Sequence, residues 1–240
     1  MKLEKALYQK SYLYFIVFFL LALVGFWFTY FTRILDQENY RMHTHGLTLI
    51  LWCLMLIVQP YLIRTKRFSL HRKVGYFSYL LVPLLLFTTL DLLKYKMQGL
   101  ASLRTMDYFF IALVVNSLIA FVLLYGLAIY FKSKPTVHAR FMIATALTMV
   151  TPITDRITHI YFPSFVPYLP TIEGNPIAPV VGFVLVDILL LILCCWDWIS
   201  HKRWNVFPLV FLILLTYHYS VMNFHAFTFW QNFCQWFVQI

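Results

Sequence analysis

The sequence predicts an all-α protein, a seven-transmembrane helix bundle, and three observations support this fold class. Of its 240 residues, 62% are hydrophobic and only 12% are charged. A soluble domain of this size does not bury so much apolar surface, so lipid must cover much of it. The apolar residues form seven runs, each long enough to cross a bilayer as a helix. The Lys and Arg residues fall in short segments between these runs, as topology signals do.

The predicted spans belong to a single membrane domain that covers residues 1–224. Asp107 is well placed to cap the start of the fourth span. Residues 225–240 are aromatic and carry no Lys, Arg, Asp or Glu, which predicts a C-terminal helix lying in the membrane interface. The seven spans are predicted at residues 12–31, 44–63, 75–93, 107–131, 138–161, 177–198 and 204–224.

Four basic segments set the predicted orientation. If the chain crosses seven times, all four fall on one side of the membrane, and the opposite segments hold most of the acids. The positive-inside rule then places the N-terminus in the cytoplasm and the C-terminus outside, and we expect a bacterial cytoplasmic (inner) membrane. The basic segments are the N-terminus with Lys2, Lys5 and Lys10, and residues 64–73, 132–140 and 201–203.

Composition also excludes several classes of protein. The formal charge of +10 would suit nucleic acid, but the basic residues are divided among the short segments, so we predict no nucleic-acid partner. The first apolar run is too long for a cleavable signal peptide and lacks a small-residue cleavage pattern. The cysteines show no CxxC or zinc spacing, and we expect inert buried thiols at Cys53, Cys194, Cys195 and Cys234.

The fifth predicted span is unusually polar. As one continuous helix it places His138 and Arg156 about five turns apart on the same face. His159 lies about 60° from that line and roughly 30 Å from His138. Ionisable groups at membrane depth are costly and normally face protein, water or a cofactor. The pattern therefore predicts a bundle interior with functional groups near each membrane surface.

Three motifs in this region resemble an uncharacterised bacterial family of predicted multi-pass membrane proteins. The second span starts with a histidine and ends in Gln-Pro-x-Leu-Ile, the third opens on Leu-His-Arg-Lys-Val-Gly, and the fifth reads His-x-Arg-x-Met and closes with Arg. The resemblance covers residues 43–160, and Lys73 and Tyr76 depart from the family pattern. It implies no activity, but it marks a set of residues: His45, Gln59, His71, Arg72, Gly75, His138, Arg140 and Arg156.

The first functional hypothesis is a b-type haem protein that moves electrons across the membrane. Imidazole is an axial ligand of haem iron, and arginine binds carboxylates bidentately. We predict two ligand pairs, His71 with His138 inside and His45 with His159 outside, and His218 could replace either outer ligand. The layout is similar to that of the cytochrome b561 group, and a quinone or another redox partner would follow from it. The predicted propionate ligands are Arg72 and Arg140 inside and Arg156 outside.

The alternative to a haem site is structural, because histidines at the headgroup level can simply cap helix starts. A second functional hypothesis is an intramembrane hydrolase with a zinc site at the outer face. Its predicted ligands are His45, His159 and His218 with Asp91, Asp155 or Asp187. This layout resembles the seven-span ceramidase and adiponectin-receptor hydrolases in broad outline, but their His-x-x-x-His spacing is missing. We expect Asp91 or Asp187, rather than the adjacent Asp155, to neutralise Arg156.

A third hypothesis is a non-enzymatic role as an assembly factor, a transporter or a partner subunit. Asp187, Asn116 and Arg156 would suit a proton or solute path within the membrane. The sequence shows no pair of Gly/Pro-broken helices in matching halves, which are typical of transporters. The seventh span holds no lysine for a retinal Schiff base. These alternatives leave open whether the protein is an enzyme.

Overall fold

The computed structural model of the protein describes residues 10–100, 102–202, 204 and 206–239. The protein is almost entirely helical, which confirms the all-α prediction. Lys2, Lys5 and Arg203 of the basic segments lie outside the described residues. The described part of the chain forms nine α-helices: α1 (Ser11–Phe26), α2 (Tyr40–Arg64), α3 (Phe68–Met97), α4 (Thr105–Tyr130), α5 (Pro135–Leu147), α6 (Val150–Tyr161), α7 (Pro179–His201), α8 (Phe207–Asn223) and α9 (Thr228–Gln239).

Five of these helices are long and apolar enough to cross a membrane, namely α2, α3, α4, α7 and α8 with its short extension to Ala226. Helix α1 is apolar but has only 16 residues. A multi-pass membrane protein is therefore confirmed, whereas the number of seven spans and the orientation stay predictions.

The prediction of one continuous fifth helix is wrong. The segment consists of α5 and α6, which are separated at Thr148 and Met149. Pro152 explains the break, because its ring has no N–H to donate and clashes with the carbonyl four residues earlier, which is that of Thr148. In α6, Pro152 lies in the first turn, where a proline is tolerated. His138 and Arg156 therefore do not share the face of one helix.

The predicted cap at Asp107 is also corrected in position. Helix α4 begins two residues earlier, at Thr105, and Arg104 is its N-cap. The Asp107 carboxylate accepts a hydrogen bond of 2.8 Å from the Arg104 backbone N–H. Asp107 thus closes a capping box from the first turn, where a carboxylate also favours the helix dipole.

Helices that follow one another in the chain run antiparallel, apart from α5 and α6, and they define two ends of the bundle. Thr48 and Thr88 bond across α2 and α3 at 3.1 Å, and His138 on α5 bonds to the Ala128 carbonyl near the end of α4 at 2.8 Å. We call one end the His45 end; it holds the starts of α2, α4 and α7 and the ends of α3, α6 and α8. The opposite end is the His138 end.

The core has three apolar clusters. The largest packs α4 and α5 against α7 and α8 around Phe207 and Leu214, which are fully buried. A second joins α2, α3 and α4 around Trp52, which is also fully buried. The third seats α9 on the ends of α3 and α4 through Trp230 and Cys234.

Helix α9 confirms the predicted C-terminal helix, and its place in the membrane interface stays a prediction. Trp230 donates a 3.0 Å hydrogen bond from its indole N–H to the Tyr108 carbonyl, which fixes α9 on α4. Cys234 is buried, as predicted. Burial raises the pKa of its thiol to about 12, which lowers the thiolate fraction at neutral pH. Cys53 is buried too, but Cys195 is exposed, so the prediction of buried thiols is wrong there.

The connection between α6 and α7 carries the only strands among the described residues. A 3-10 helix at Pro163–Tyr168 leads into β1 (Thr171–Ile172), which pairs antiparallel with β2 (Asn175–Pro176). Gly174 sits in the turn with a φ of 78°, a conformation that glycine adopts without strain.

Candidate functional site

A cavity of about 320 Å³ opens between the helices of the His45 half. This volume lies near the lower end of the roughly 300–1,000 Å³ that ligand pockets span. Helices α1 to α4 supply most of its wall, which is largely aliphatic and aromatic, and Tyr217 of α8 contributes one side chain. Such a wall suits a ligand with an apolar body.

The break between α5 and α6 forms part of the cavity wall. Thr148, Met149 and Pro152, the residues that interrupt the helix, all line the cavity. The Thr148 hydroxyl donates to the Thr145 carbonyl at 2.9 Å and satisfies one carbonyl that the break leaves without its helical partner. Irregular backbone at membrane depth occurs where it is buried in protein or lines a cavity, and both conditions fit this break.

Charged and polar side chains gather where the cavity meets the His45 end. His45 comes from the first turns of α2, Lys96 from the last turn of α3, and Asp155 and Arg156 from α6. The Lys96 charge acts on His45, and the Arg156 charge acts on Lys96. Arg156 forms an ion pair of 2.9 Å with Asp155. The group carries two cations and one carboxylate, so it favours an acidic or hydrogen-bond-accepting ligand group.

His45 is held in one orientation by α3. Its Nδ1 lies 3.2 Å from the Thr89 hydroxyl oxygen. That hydroxyl already donates its hydrogen to the Leu85 carbonyl at 2.7 Å, so it accepts from His45 Nδ1–H. The neutral ring then keeps its lone pair on Nε2. A histidine with its Nδ1–H bound in this way is oriented for ligation or hydrogen-bond acceptance through Nε2.

The predicted outer pair is not brought together in the cavity. His45 lines the cavity, whereas His159 does not. The His159 side chain is 47% exposed, and its Nδ1 contacts the carbonyl and the carboxylate of Asp155, one turn earlier on α6. His218, the predicted substitute, lies 3.0 Å from Asp187 and stacks on Phe183.

Both residues of the predicted inner pair lie at the His138 end. His71 lies in the first turn of α3 and His138 in the first turn of α5, and the pairing of the two imidazoles stays a prediction. The Nδ1–H of His138 donates a hydrogen bond to the Ala128 carbonyl. The neutral ring therefore keeps its lone pair on Nε2. Arg72, the predicted propionate ligand beside this pair, is exposed.

Arg140 occupies a different environment from the one that the haem hypothesis assigns to it. Its guanidinium pairs with Asp197 at 2.8 Å, and both side chains are at most 2% exposed. His201, one turn beyond Asp197 on α7, contacts the same carboxylate at 3.2 Å. Arg140 therefore ties α5 to α7, and sequence reasoning missed Asp197 as its partner.

The residues predicted to bind zinc fall into separate pairs. Asp91 pairs with Arg41 at 3.0 Å, Asp187 with His218, and Asp155 with Arg156. The expectation that Asp91 or Asp187 neutralises Arg156 is therefore wrong, because both have other partners. Among the described residues, no three His, Cys, Asp or Glu side chains lie close enough together to hold a metal ion.

Lys96 and Thr89 are the site residues that sequence reasoning missed. Lys96 lies beyond the third predicted span, which ends at residue 93, but α3 extends to Met97 and carries Lys96 into the cavity wall. The signal that could have found Thr89 is the spacing of hydroxyl residues near the end of α3, since Thr88 and Thr89 both face α2.

Comparison of the chain with protein-family models, with curated proteins and with solved structures found no match.

Proposed function

We propose that this multi-pass protein crosses a bacterial inner membrane seven times, with its N-terminus inside, and binds haem b in the cavity to move electrons across the membrane. The observation that carries the proposal is the orientation of His45 in the cavity wall. An oriented imidazole with its lone pair on Nε2 lines an apolar cavity whose polar end holds Lys96 and Arg156.

The cavity residues fit the parts of a haem. The aliphatic and aromatic wall would hold the porphyrin, His45 would ligate the iron, and Lys96 with Arg156 would bind the propionates. When bound, haem supplies reversible one-electron chemistry, and the polarity around it sets the reduction potential. Thr89 orients the His45 ring, and the apolar wall would keep water away from the bound group.

A second haem ligand pair is proposed at the His138 end. The place of His71 and His138 in the first turns of α3 and α5 at that end supports it, and so does the lone pair that His138 keeps on Nε2. Two sites, one toward each surface, would let an electron cross the bilayer, with a lipid-soluble quinone as a donor or acceptor. Among the described residues the carboxylates are dispersed, and this arrangement does not fit a zinc hydrolase.

The proposal is tested by the absorption spectrum of the full-length protein, purified in detergent and titrated with haem. We expect a Soret band that saturates at stoichiometric haem, and His45→Ala should remove the part of it that comes from the cavity site. His159→Ala is the matched control, because His159 is exposed and outside the cavity, and it should keep the band. His71→Ala should alter only the second site.

Two outcomes would contradict the proposal. One is the absence of a saturable Soret band from folded native protein. The other is a band that His45→Ala leaves unchanged, since the cavity would then not be where haem binds.

A further inference from the structure

A connected series of polar side chains runs through the His138 half of the bundle, below the cavity. We call it the polar file. It lies between α2, α3 and α4, and it comprises Trp52, Gln59, His71, Ser78 and Tyr125.

The file starts at the His138 end with His71. The backbone carbonyl of Gln59 on α2 faces the His71 ring. The Gln59 amide lies beside Gly75 of α3, because a Cβ at that glycine would be 3.6 Å from Gln59 Nε2. The Gly75 carbonyl in turn accepts a 2.6 Å hydrogen bond from Ser78. Through these contacts the file extends about two helical turns along α3 into the bundle.

From Ser78 the file continues to the cavity wall. The hydroxyls of Ser78 and Tyr125 bond at 2.8 Å. The Tyr125 ring packs edge-on against Trp52 with centroids 5.8 Å apart. Trp52 contacts Phe121 at 5.1 Å, and Phe121 lines the cavity. The file therefore extends from the His138 end to Trp52, and the Phe121 ring lies between Trp52 and the cavity.

The polar atoms of the file have unused hydrogen-bonding capacity. Trp52 is fully buried, yet its indole N–H has no partner among the described residues. Within that same part of the chain, both amide atoms of Gln59 and the Nδ1 of His71 are buried without a partner. Unsatisfied buried polar atoms are costly, and native proteins usually satisfy them with internal water.

We propose that the polar file holds a row of bound water molecules that carries protons between the His138 end and the ligand in the cavity. Gln59, Ser78 and Trp52 order the water. His138 and Arg72 lie near His71, and Tyr79 lies near Tyr125, so these are the other titratable or charged groups that face the file.

The water row itself is independent of the haem, but proton delivery rests on the proposed redox function. Reduction of a haem held in the cavity would lower the charge of the site by one unit, and such a change is costly in a medium of low dielectric constant. A proton taken up through the file would balance it, so that electron entry and proton uptake would be coupled.

The bound water is tested by X-ray hydroxyl-radical footprinting of the full-length protein in nanodiscs without added haem. Radicals form from water next to a side chain, so Trp52 should be oxidised readily although it is fully buried. Trp230 is the internal reference, because it is 5% exposed and its indole N–H is satisfied by Tyr108. We expect faster oxidation at Trp52 than at Trp230.

Gln59→Leu should slow the oxidation of Trp52 at least threefold, because it removes the amide that orders the water. Gln231→Leu is the matched control on α9, far from the file, and should leave Trp52 unchanged. Leucine removes a buried amide that has no protein partner, so Gln59→Leu should fold, which a monodisperse gel-filtration profile checks. Unlabelled Trp52 in the native protein, or equal labelling in folded Gln59→Leu, would overturn the water row.

Proton delivery has a second measurement in haem-loaded protein. The rate of haem reduction should show a solvent deuterium isotope effect that Gln59→Leu abolishes and Gln231→Leu retains. If water is found and the isotope effect is the same in both variants, proton delivery is wrong. Failure of haem binding would refute the proposed function alone, since footprinting decides on the water without it.

Discussion

Each end of the bundle holds an arginine paired with an aspartate, and the two pairs lie in different surroundings. Arg140 and Asp197 at the His138 end are almost completely buried, at 1% and 2% exposure. Arg156 and Asp155 at the His45 end are 38% and 18% exposed, and both line the cavity. The first pair fastens two helices together, whereas the second leaves its charges available to a ligand.

The histidines repeat this contrast. His201 contacts the buried Asp197 and belongs to the fastening network of the His138 end. His45 instead points one nitrogen at Thr89 and lines the cavity. A histidine or an arginine at membrane depth is therefore not by itself a sign of function. Its role depends on whether groups on another helix occupy all of its hydrogen-bonding atoms.

The largest effect is expected from breaking the buried pair. Arg140→Met should lower the free energy of unfolding by about 3–5 kcal/mol, because it leaves the Asp197 carboxylate buried without its cation. Arg156→Met, at the other end, should cost less than about 1 kcal/mol, as expected for a partly exposed pair. Denaturant unfolding of the ligand-free protein in mixed micelles measures both values.

A double variant distinguishes the effect of leaving the Asp197 charge unpaired from the effect of losing the Arg140 side chain. Arg140→Met with Asp197→Leu removes both charges and should recover most of the stability that Arg140→Met loses. If the double variant is no more stable than Arg140→Met, the buried charge is not the cause, and the contrast between the two ends fails.

A smaller effect is expected where α7 supports the broken helix of the cavity wall. A Cβ added at Gly182 would lie 2.5 Å from the Thr154 hydroxyl oxygen and 2.7 Å from the Thr151 Cα. Because the Thr151 backbone cannot move aside cheaply, Gly182→Ala should cost about 1–3 kcal/mol of unfolding free energy.

The control for this position is Gly126→Ala on α4, where an added Cβ meets nothing within 4 Å. It should be neutral or slightly stabilising, since alanine favours a helix over glycine. Thermal unfolding of the two variants side by side makes the comparison, and equal midpoints would show that α6 and α7 are not in such close contact.

The smallest effect is expected from the orientation of His45. Thr89→Val removes the hydroxyl that accepts from Nδ1, so the haem dissociation constant should rise about tenfold, as for other second-layer partners of a ligating histidine. Thr88→Val is the control, because Thr88 bonds to Thr48 and does not line the cavity. Haem titrations followed at the Soret band measure both constants. A Thr89→Val constant equal to that of Thr88→Val would contradict the role of Thr89.

Much of the fold could be predicted from the sequence, because helices that face lipid require long apolar runs. Five predicted spans contain helices of sufficient length and hydropathy, and the C-terminal helix lies where the aromatic run predicts it. The place of His71 and His138 at one end of the bundle also follows from the sequence, since both stand at the starts of helices on the same side.

The break at Thr148 and Met149 was less visible, although Pro152 was its signal. A proline inside an apolar run can kink a helix, break it or lie in the first turn of a new one, and only packing decides among these. Here Gly182 lets α7 approach Thr151 closely, and Gly25 of α1 comes near the Ile153 carbonyl. These contacts on two sides hold α6 as a separate helix.

Sequence by itself determined that this chain requires a lipid environment and where most of its helices lie, because lipid requires long apolar segments. It also determined near which end most charged side chains fall, because lipid restricts charges to the ends of those segments. Only the tertiary structure decided which charges neutralise each other. Asp197 rather than a propionate holds Arg140, and Asp155 rather than Asp91 or Asp187 holds Arg156. The reason is that ion pairs act over a few ångströms, and helix rotation and packing, which set those distances, leave no local pattern in the chain.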